Sequence, residues 1–443
     1  MMKKKNKILL VLALCFSFTI YAQNKQWTLQ EAVEYALQNN ISVKQSQNAI
    51  LSGEQDVIAA KGQFLPTLSF STNYNLNIGT EQLFAGQFVD RTSNTISLGA
   101  GINQTIFNGF RTLNLYKQSK LSNEINQLEL ARIQDDISLN VVNAYLNILF
   151  NKENLDAAII QLGFSKKQFD QVKELVDAGV QPRANMLDTE ANVFQEEQNV
   201  TVAKNNYDLS LLSMAQLLQL PVANFDVQII DVNQPSSNVL YENIQPILDY
   251  AYKNRNEVKL AEKQIENAAL STEISKSGYY PSLTGNYNYG SNAFYTNLTN
   301  LENSFFTQIS DNKGHGFGLR LSVPIFSQFQ NRTSVAKSKI QEENAKLNLD
   351  QAKLTLESNI QRAFTDAKAS YRTFEASKKA LLAQELALQN AQDRYNLGAF
   401  NAFDLEQTRL RFVNAQTASI NAKYDFVFKT KVLDFYLGKP ITQ

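Results

Sequence analysis

The amino-acid sequence predicts an α+β membrane protein in which one structural unit occurs twice. Short segments alternate apolar and polar residues with the period of a β-strand. Two very long segments keep apolar residues at helical spacing, and the second half of the chain repeats the order of the first. Each half is therefore expected to supply two strands to a membrane β-barrel shared between chains, and a long helical hairpin that continues it.

An export signal is predicted at residues 1–22. Lysines cluster at its start, the apolar stretch at 8–20 is too short for an ordinary membrane span, and Ala22 suits the last position before cleavage. The whole chain has 42 basic and 42 acidic residues, and removal of the four lysines in the signal leaves 38 basic residues against 42 acidic ones. Because this mature chain lacks the charge balance of a nucleic-acid-binding protein, we expect no nucleic-acid partner.

The single cysteine, Cys15, lies within the predicted signal. Its removal would leave a mature protein without disulfides or thiol chemistry. The alternative is a lipid anchor at Cys15, although Leu14 before it is bulkier than lipoprotein processing usually accepts. No later segment approaches the roughly 18 consecutive apolar residues of a transmembrane helix. Insertion into a membrane would therefore depend on strands.

The segment 67–78 is the clearest of four predicted strands. Every second residue is apolar, aromatic or a threonine, and the residues between them are small or polar. About eleven residues is the length that a tilted strand needs to cross a bilayer. Similar alternation predicts strands at 95–107, 282–290 and 316–326, with a long polar loop joining the two strands of each half. Four such strands favour a membrane β-barrel over a soluble β-sandwich.

Helices account for most of the remaining sequence. Shorter ones are predicted at about 28–60 and 243–275, the first beginning with a capping box formed by Thr28 and Glu31. A very long helix is predicted from Arg111 to Val176, because this segment contains no proline and apolar residues recur at steps of three and four. These residues are Leu130, Ile133, Ile137, Val141, Ala144 and Ile148, matched in the second half by Leu349, Ala352, Leu356, Ile360, Ala363 and Ala367.

Each long helix is expected to end in a glycine turn that leads into a return helix. At about 1.5 Å per residue, the long helix extends for about 100 Å. The turns lie around Gly179 and Gly398, and the return helices are predicted at about 184–219 and 403–436. A compact globular domain cannot contain helices of this length.

The duplication defines the predicted domains. Aligned positions lie 215 residues apart up to the first strand of each half and 219 apart afterwards. Identical residues recur at these spacings: Tyr35 with Tyr250, Pro66 with Pro281, Gly179 with Gly398 and Pro221 with Pro440. After the signal, we therefore predict a first repeat at 23–221, a linker at 222–245 and a second repeat at 246–443. Within the linker, VQII suggests a short strand and NQPSS a turn.

Four strands cannot close a barrel, and an open sheet edge cannot face lipid because its N–H and C=O groups would remain unpaired. The smallest membrane barrels have about eight strands. Several copies of the chain must therefore share one barrel. Two copies would give an interior filled by side chains, whereas three would give twelve strands and room for a water-filled passage.

The order of the motifs resembles the TolC family of outer-membrane efflux and secretion ducts. The matching segments are QWTLQEAVEYALQNN near the mature start, the strands PTLSFSTNY and PSLTGNYNY, SVPIF, RYNLGAFNAFDLEQTRLRFVNAQ and the final YLGKP. They cover essentially the whole mature chain. The resemblance implies a homotrimer, a twelve-stranded barrel in outer-membrane lipid, and a periplasmic α-helical barrel. It also implies passive export with a periplasmic adaptor protein and an inner-membrane transporter of the RND or ABC class.

The resemblance also implies an entrance at the hairpin ends. Asp404 matches the first of two acidic positions that narrow the entrance, whereas the second is Gln407, so a double ring of carboxylates is in doubt. The alternative is that Asp404 only stabilises the start of its helix through the helix dipole. Asp188, Glu190 and Glu406 are weaker pore candidates.

Two further features of the hairpin ends follow from the resemblance. Tyr395 matches a tyrosine that links neighbouring hairpins, and its expected partner positions hold Ala184, Asn185 and Phe400. A hydrogen bond from Tyr395 to Asn185 therefore stays a prediction. Gly179 and Gly398 are expected to lie where the adaptor makes contact, the alternative being that they are helix caps alone.

No catalytic set or cofactor site is evident, so the sequence predicts neither an enzyme nor a bound cofactor or metal. His315 is the only histidine and has no cysteine or histidine partner for a metal. Two alternatives stay open at this stage. One is an autonomous outer-membrane porin or adhesin whose long helices form a coiled-coil scaffold, and the other is a soluble coiled-coil scaffold protein.

Overall fold

The computed structural model describes residues 26–84, 86–223, 225–230, 242–299 and 303–440. The predicted export signal, Leu14 and Cys15 lie outside these ranges, as does the NQPSS turn of the linker. The chain divides into two compact units, and each draws segments from both predicted repeats. The first unit comprises Met1–Gln45, Ala131–Arg255 and Lys353–Gln443, and the second comprises Ser46–Leu130 and Asn256–Ala352.

In chain order the helices and strands are β1 (Gln26–Trp27), α1 (Leu29–Asn39), α2 (Ile41–Gly62), β2 (Thr67–Phe84), β3 (Gln87–Asn108), α3 (Arg111–Asp177), α4 (Arg183–Leu218), β4 (Asp226–Val227), α5 (Gln245–Asn254), α6 (Asn256–Lys276), β5 (Ser282–Thr296), α7 (Phe305–Asp311), β6 (Gly314–Ser322), α8 (Gln330–Asn396) and α9 (Ala402–Tyr436). A single 3-10 turn, Ser277–Tyr279, precedes β5.

The long helices confirm the duplication seen in the sequence. Helices α3 and α8 each contain 67 residues, and both of their bounds are separated by the spacing of 219 residues. The return helices α4 and α9 begin at the same spacing. The observed bounds of α3, α4 and α9 each lie within one residue of the predicted ones.

The two shorter predicted helices are each divided in two, which corrects the prediction of single helices at 28–60 and 243–275. The capping box of Thr28 and Glu31 is present at the start of α1. The backbone then turns to extended ψ values of 135° at Asn40 and 136° at Arg255, the residues that end α1 and α5. Asn40 accepts a hydrogen bond from the Ser42 amide through its side chain, at 2.9 Å, and so caps α2.

The second unit contains an antiparallel sheet of four strands in the order β2–β3–β5–β6. Central pairs such as Phe70 with Ala100, and Tyr287 with Phe317, fix its register. Strands β2 and β6 are the edges, so the sheet is open within the described part of the chain.

This register puts mostly apolar residues on one face of the sheet and mostly polar residues on the other. Exceptions include Asn94, Gln104 and Ser291 on the apolar face and Phe294 on the polar face. The apolar face is formed by Leu68, Phe70, Thr72, Tyr74, Leu76, Ile78, Ile96, Leu98, Ala100, Ile102, Leu283, Tyr287, Tyr289, Phe317, Leu319 and Leu321. The polar face is formed by Ser69, Ser71, Asn73, Asn75, Asn77, Ser93, Thr95, Ser97, Gly99, Gly101, Asn103, Thr105, Ser282, Thr284, Asn286, Asn288, Gly290, Asn292, Gly314, Gly316, Gly318, Arg320 and Ser322. Much of the apolar face is exposed, with Phe317 at 83% and Ile78 at 75%.

The long polar loop predicted in the first half is wrong, because β2 and β3 continue as a ribbon to a tight turn. Gly86 adopts a left-handed φ of 93° in that turn. Cross-strand contacts stabilise the polar ribbon: Thr80 donates to Asp90 at 3.2 Å, and Arg91 forms an ion pair with Glu81. These residues face one another only after the two strands have paired.

The fourth strand also departs from its prediction, since β6 ends at Ser322 and not at 326. Pro324 lacks the N–H group that a further ladder hydrogen bond would need. On the partner strand, Pro281 directly precedes β5 and the last pair is Ser282 with Ser322. A proline beside each strand therefore ends the pairing of β5 with β6 at the pair Ser282 and Ser322.

Helix α7 lies in the second loop predicted to be irregular and covers the outer part of β5. Strand β6 begins opposite Gly290, so the later residues of β5 have no strand on that side. The Phe294 amide donates to Gln308 Oε1 at 2.8 Å, and Asn312 Nδ2 donates to the Asn292 carbonyl at 2.7 Å. These bonds satisfy edge groups that β6 does not reach.

The first unit has its largest core where α3, α4 and α9 meet the short strands. Strand β1 pairs in parallel with β4, which overlaps the predicted VQII strand. Val141 and Ile148 of the predicted apolar stripe are fully buried beside Tyr145, and in α8 Ile360 is also fully buried. Five of the twelve stripe residues are buried and the other seven are half-buried, so the stripes lie on the packed side of these helices. Separately, the described helices include none that is long and apolar enough to cross a membrane.

Candidate functional site

Both helical hairpins end in the same turn geometry. Gly179 and Gly398 have φ values of 75° and 74°, a left-handed conformation that favours glycine. At the first turn, the amide of Gly179 donates to Val176 and that of Val180 donates to Leu175.

The second turn repeats this pattern, with the amide of Gly398 donating to Tyr395 and that of Ala399 donating to Arg394. This pair of bonds is the Schellman motif that ends many helices. Both glycines therefore cap their helices. Whether they also contact an adaptor stays a prediction.

Asp404 lies in the first turn of α9, where it takes part in capping the helix. Asn401 is the N-cap residue, and its side-chain oxygen accepts a hydrogen bond from the Asp404 amide at 2.7 Å. Its Nδ2 donates to Asp404 Oδ2 at 2.8 Å. The alternative interpretation of Asp404 as a helix-start residue is therefore supported, while the carboxylate remains half-exposed. One turn later, Gln407 is exposed.

Asn185 and Tyr395 are each half-buried near a hairpin end. Asn185 donates to Gln181 Oε1 at 3.4 Å, and its carbonyl accepts from Thr189 Oγ1 at 3.1 Å. Within the described residues of one chain, no hydrogen bond joins the Tyr395 and Asn185 side chains. A link between them would therefore have to form between chains.

A buried charge cluster near these residues was not predicted from the sequence. Arg409 is 6% exposed, and its guanidinium donates to both carboxylate oxygens of Glu406, at 2.9 and 2.5 Å. It also donates to Ser165 Oγ at 2.5 Å and lies 3.7 Å from the buried carboxylate of Glu196. The carboxylate of Glu406, one of the weaker pore candidates, therefore binds Arg409 within this cluster.

The cluster joins three helices of the first unit, since Ser165 lies on α3, Glu196 on α4 and Arg409 on α9. In the sequence, the only feature that could have indicated this cluster is the charged residue Arg409 in the return helix, because its burial is not visible from the sequence. The remaining weaker pore candidates, Asp188 and Glu190, lie on the first turns of α4 and are exposed and half-buried respectively.

A cavity of about 500 Å³ lies beside the cluster. Residues from α3, α8 and α9 line it, among them Phe164, Lys167, Gln389, Tyr395 and Arg409. The lining is rich in glutamine and carries charges of both signs. Tyr395 and the buried Arg409 therefore line the same cavity.

Two tyrosines of the first unit have strongly raised pKa values. Burial raises the pKa of Tyr145 to about 12, and its hydroxyl donates to the Gln228 carbonyl at 2.5 Å. Burial, and then the negative charge of Asp226, raise the pKa of Tyr207 to about 12. Both phenols are therefore neutral at physiological pH and serve the packing of the core.

The described residues hold no cluster of histidine, cysteine and carboxylate side chains suited to a metal ion. His315 instead forms a hydrogen bond of 2.8 Å through Nδ1 with the Tyr287 hydroxyl. This places the histidine among aromatic residues at the outer end of β6.

An open sheet with an exposed apolar face, joined to two duplicated hairpins of very long helices, defines one protomer of a membrane channel that several chains build together. The chain belongs to the outer membrane efflux protein family, whose model matches residues 32–219 and 247–439. This family consists of channel proteins.

Curated relatives and solved structures show the same similarity along nearly the whole chain. The outer membrane protein TolC of Vibrio cholerae is 20% identical over 427 residues, covering 95% of this chain and 92% of the relative. TolC of Escherichia coli is 23% identical over 448 residues, covering 99% and 87%.

Two crystal structures share the fold at low sequence identity. The outer membrane protein VceC of Vibrio cholerae matches with a TM-score of 0.76 at 16% identity, covering 93% of this chain and 96% of that one. The CmeC outer membrane channel of Campylobacter jejuni matches with a TM-score of 0.76 at 17% identity, covering 94% and 86%.

The predicted fold class is thereby confirmed: four strands per chain contribute to a twelve-stranded barrel of a trimer, and the long helices continue it as an α-helical barrel. The protein is an outer-membrane exit duct for efflux or secretion that extends into the periplasm. TolC-like channels form homotrimers and work with adaptors and inner-membrane transporters.

Proposed function

We propose that this chain acts as a passive conduit, a homotrimer that docks to a periplasmic adaptor protein and is energised by an inner-membrane transporter of the RND or ABC class. The hairpin ends support docking. Val180 beside Gly179 is 68% exposed, and Leu397 beside Gly398 is 83% exposed. Exposed apolar side chains at the turns of both hairpins fit a protein contact.

In the proposed conduit, the hairpin ends also form the entrance. Three copies of Asp404 around one axis concentrate negative potential there. Gln407 adds no charge, so the entrance carries one carboxylate per chain at these two positions. Tyr395 and Asn185 of neighbouring hairpins supply a polar contact, and this contact has fewer charges than the family pattern implies.

Conductance of single trimers in a planar bilayer tests the entrance. Loss of the Tyr395 hydroxyl in Tyr395→Phe should raise the conductance, because one hydrogen bond between neighbouring hairpins is removed. Phe400→Tyr, which adds a hydroxyl nearby, is a useful comparison. An unchanged conductance in Tyr395→Phe would argue against a latch at this residue.

Photocrosslinking in living cells tests the docking proposal. A photoreactive amino acid at Val180 or Leu397 should capture a periplasmic adaptor, identified by mass spectrometry, and substitution of both residues by aspartate should abolish export. Leu354 of α8, which is 61% exposed, supplies a control position away from the turns. Crosslinks at the turns only to other copies of this chain would contradict the proposal.

A further inference from the structure

One unpaired cation stands out on the polar face of the sheet. From the inner ends of the strands to Ser93, this face carries serines, threonines, asparagines and glycines, with Phe294 and Arg320 as the exceptions. Further out, Arg91 and Glu81 lie on the same side but neutralise each other in an ion pair. Arg320 is thus the sole net charge on this part of the described wall.

The surroundings of Arg320 within the chain are neutral. Its cross-strand neighbour is Thr284, and the adjacent residues of the same face on β6 are Gly318 and Ser322. The side chain is exposed and has no hydrogen bond or ion pair among the described residues. Because glycines occupy the face on its outer side, no bulky side chain shields the guanidinium from the space in front of the sheet.

Closure of the barrel does not supply a carboxylate either. Strands β2 and β6 are the two edges of the sheet, so closure of a barrel from copies of this chain would pair β6 with β2 of the neighbouring chain. From Thr67 to Asn77 the polar face of β2 holds only threonine, serine and asparagine. When the inner ends of the two strands align, Ser69 lies opposite Arg320. The first carboxylate on this face of β2 is Glu81, twelve residues beyond Ser69. That separation corresponds to about 40 Å along a strand.

We propose that Arg320 forms an anion-attracting position inside the barrel. Three copies make a positive ring in a wall that is otherwise uncharged, and this ring favours solutes with carboxylate, phosphate or sulfate groups. The inference goes beyond the proposed docking function and does not depend on it, because it needs only the shared barrel. Its charge is opposite to that of the proposed Asp404 entrance.

Thiol modification measures the local potential directly. The single cysteine of the chain, Cys15, precedes the predicted cleavage site, so Thr284→Cys places a unique thiol in the mature chain beside Arg320. Purified trimers in liposomes are treated from outside with an anionic or a cationic methanethiosulfonate of similar size. The ratio of the two modification rates then reports the potential at this position, whether or not the periplasmic entrance is open.

The anionic reagent should be favoured when Arg320 is present. Arg320→Gln should lower the anionic-to-cationic rate ratio by a factor on the order of five. Arg320→Lys should retain the ratio of the parent, and Ser322→Gln, which adds bulk without charge, should leave it unchanged. At 1 M salt the difference between Arg320 and Arg320→Gln should largely vanish, since screening then acts over about 3 Å.

Two results would overturn the inference. A rate ratio unaffected by Arg320→Gln at low salt would show that Arg320 does not set the potential of the wall. A Thr284→Cys thiol that is unreactive in folded trimers would show that the polar face does not line an aqueous passage. Neither result bears on adaptor docking, which the crosslinking experiment tests separately.

Discussion

Arg409 and Glu406 form a bidentate ion pair one turn apart on the return helix α9, with both side chains withdrawn from solvent. The pair fixes the guanidinium so that it also reaches α3 through Ser165 and faces Glu196 of α4. Removal of any one member of such a cluster leaves buried charged or polar groups without their partners.

Removal of the arginine should therefore destabilise the first unit strongly. Arg409→Met leaves the carboxylates of Glu196 and Glu406 buried without their cation, and the free energy of unfolding should fall by about 3–5 kcal/mol. Chemical denaturation of the purified protein in detergent measures this. The matched control is Lys166→Met, which breaks an ion pair between α3 and α4 whose side chains are 52% and 44% exposed, and which should cost less than about 1 kcal/mol. Equal losses in both variants would contradict the structural role of the cluster.

Removal of the Asp404 charge should shift ion selectivity without unfolding the hairpin. Asn at this position can still accept the hydrogen bond from Asn401, so Asp404→Asn separates the charge from the cap. The permeability ratio of potassium to chloride, obtained from reversal potentials in a salt gradient, should fall. Gln407→Glu adds a carboxylate one turn later and should raise the same ratio. If neither substitution changes the ratio, Asp404 acts only as a helix-start residue.

Alanine at the turn glycines should strain the backbone without causing a clash. A Cβ atom at Gly179 or Gly398 would meet no atom within 4 Å, so the cost arises from the left-handed conformation alone. Each substitution should lower the free energy of unfolding by about 1–2 kcal/mol. Gly163→Ala is the matched control, since Gly163 lies inside α3 with equal space around it and alanine there should stabilise the helix by up to about 1 kcal/mol. The same sign of change at all three sites would refute this explanation.

Alkaline pH should destabilise the first unit through Tyr145. Burial raises the pKa of this phenol from 10.0 in the unfolded chain to about 12 in the folded chain. Its contribution is therefore complete below pH 10 and is lost as the pH rises toward 12, a loss of about 2–3 kcal/mol.

Tyr145→Phe should lower stability by about 1 kcal/mol at pH 8, because the hydrogen bond to Gln228 is lost. The variant should also lose less stability than the parent between pH 9 and pH 12. Guanidinium denaturation at a series of pH values compares the two proteins. Parallel pH profiles would show that Tyr145 does not titrate in this range.

Regular patterns were predictable because they depend on neighbours along the chain. Alternation at 67–78 predicted both the strand and its apolar face, and the glycine turns marked the ends of the long helices, which stop two residues before Gly179 and Gly398. The polar ribbon beyond residue 78 was missed, since Thr80 and Asp90 stabilise it only after the strands have paired. The breaks at Asn40 and Arg255 were also missed by a prediction based on helical periodicity.

The sequence by itself determined the duplication, the four membrane strands, the long hairpins and the need for several chains, because local periodicity and unpaired strand edges follow from composition and spacing. Only the tertiary structure decided which charged side chains are paired and buried and which are exposed without a partner. Arg409 and Ser165 are separated by 244 residues, yet packing of three helices brings them together and removes the arginine from solvent. Arg320 has a similar charge in the sequence, but strand register leaves it alone on a neutral face, since no carboxylate lies within reach.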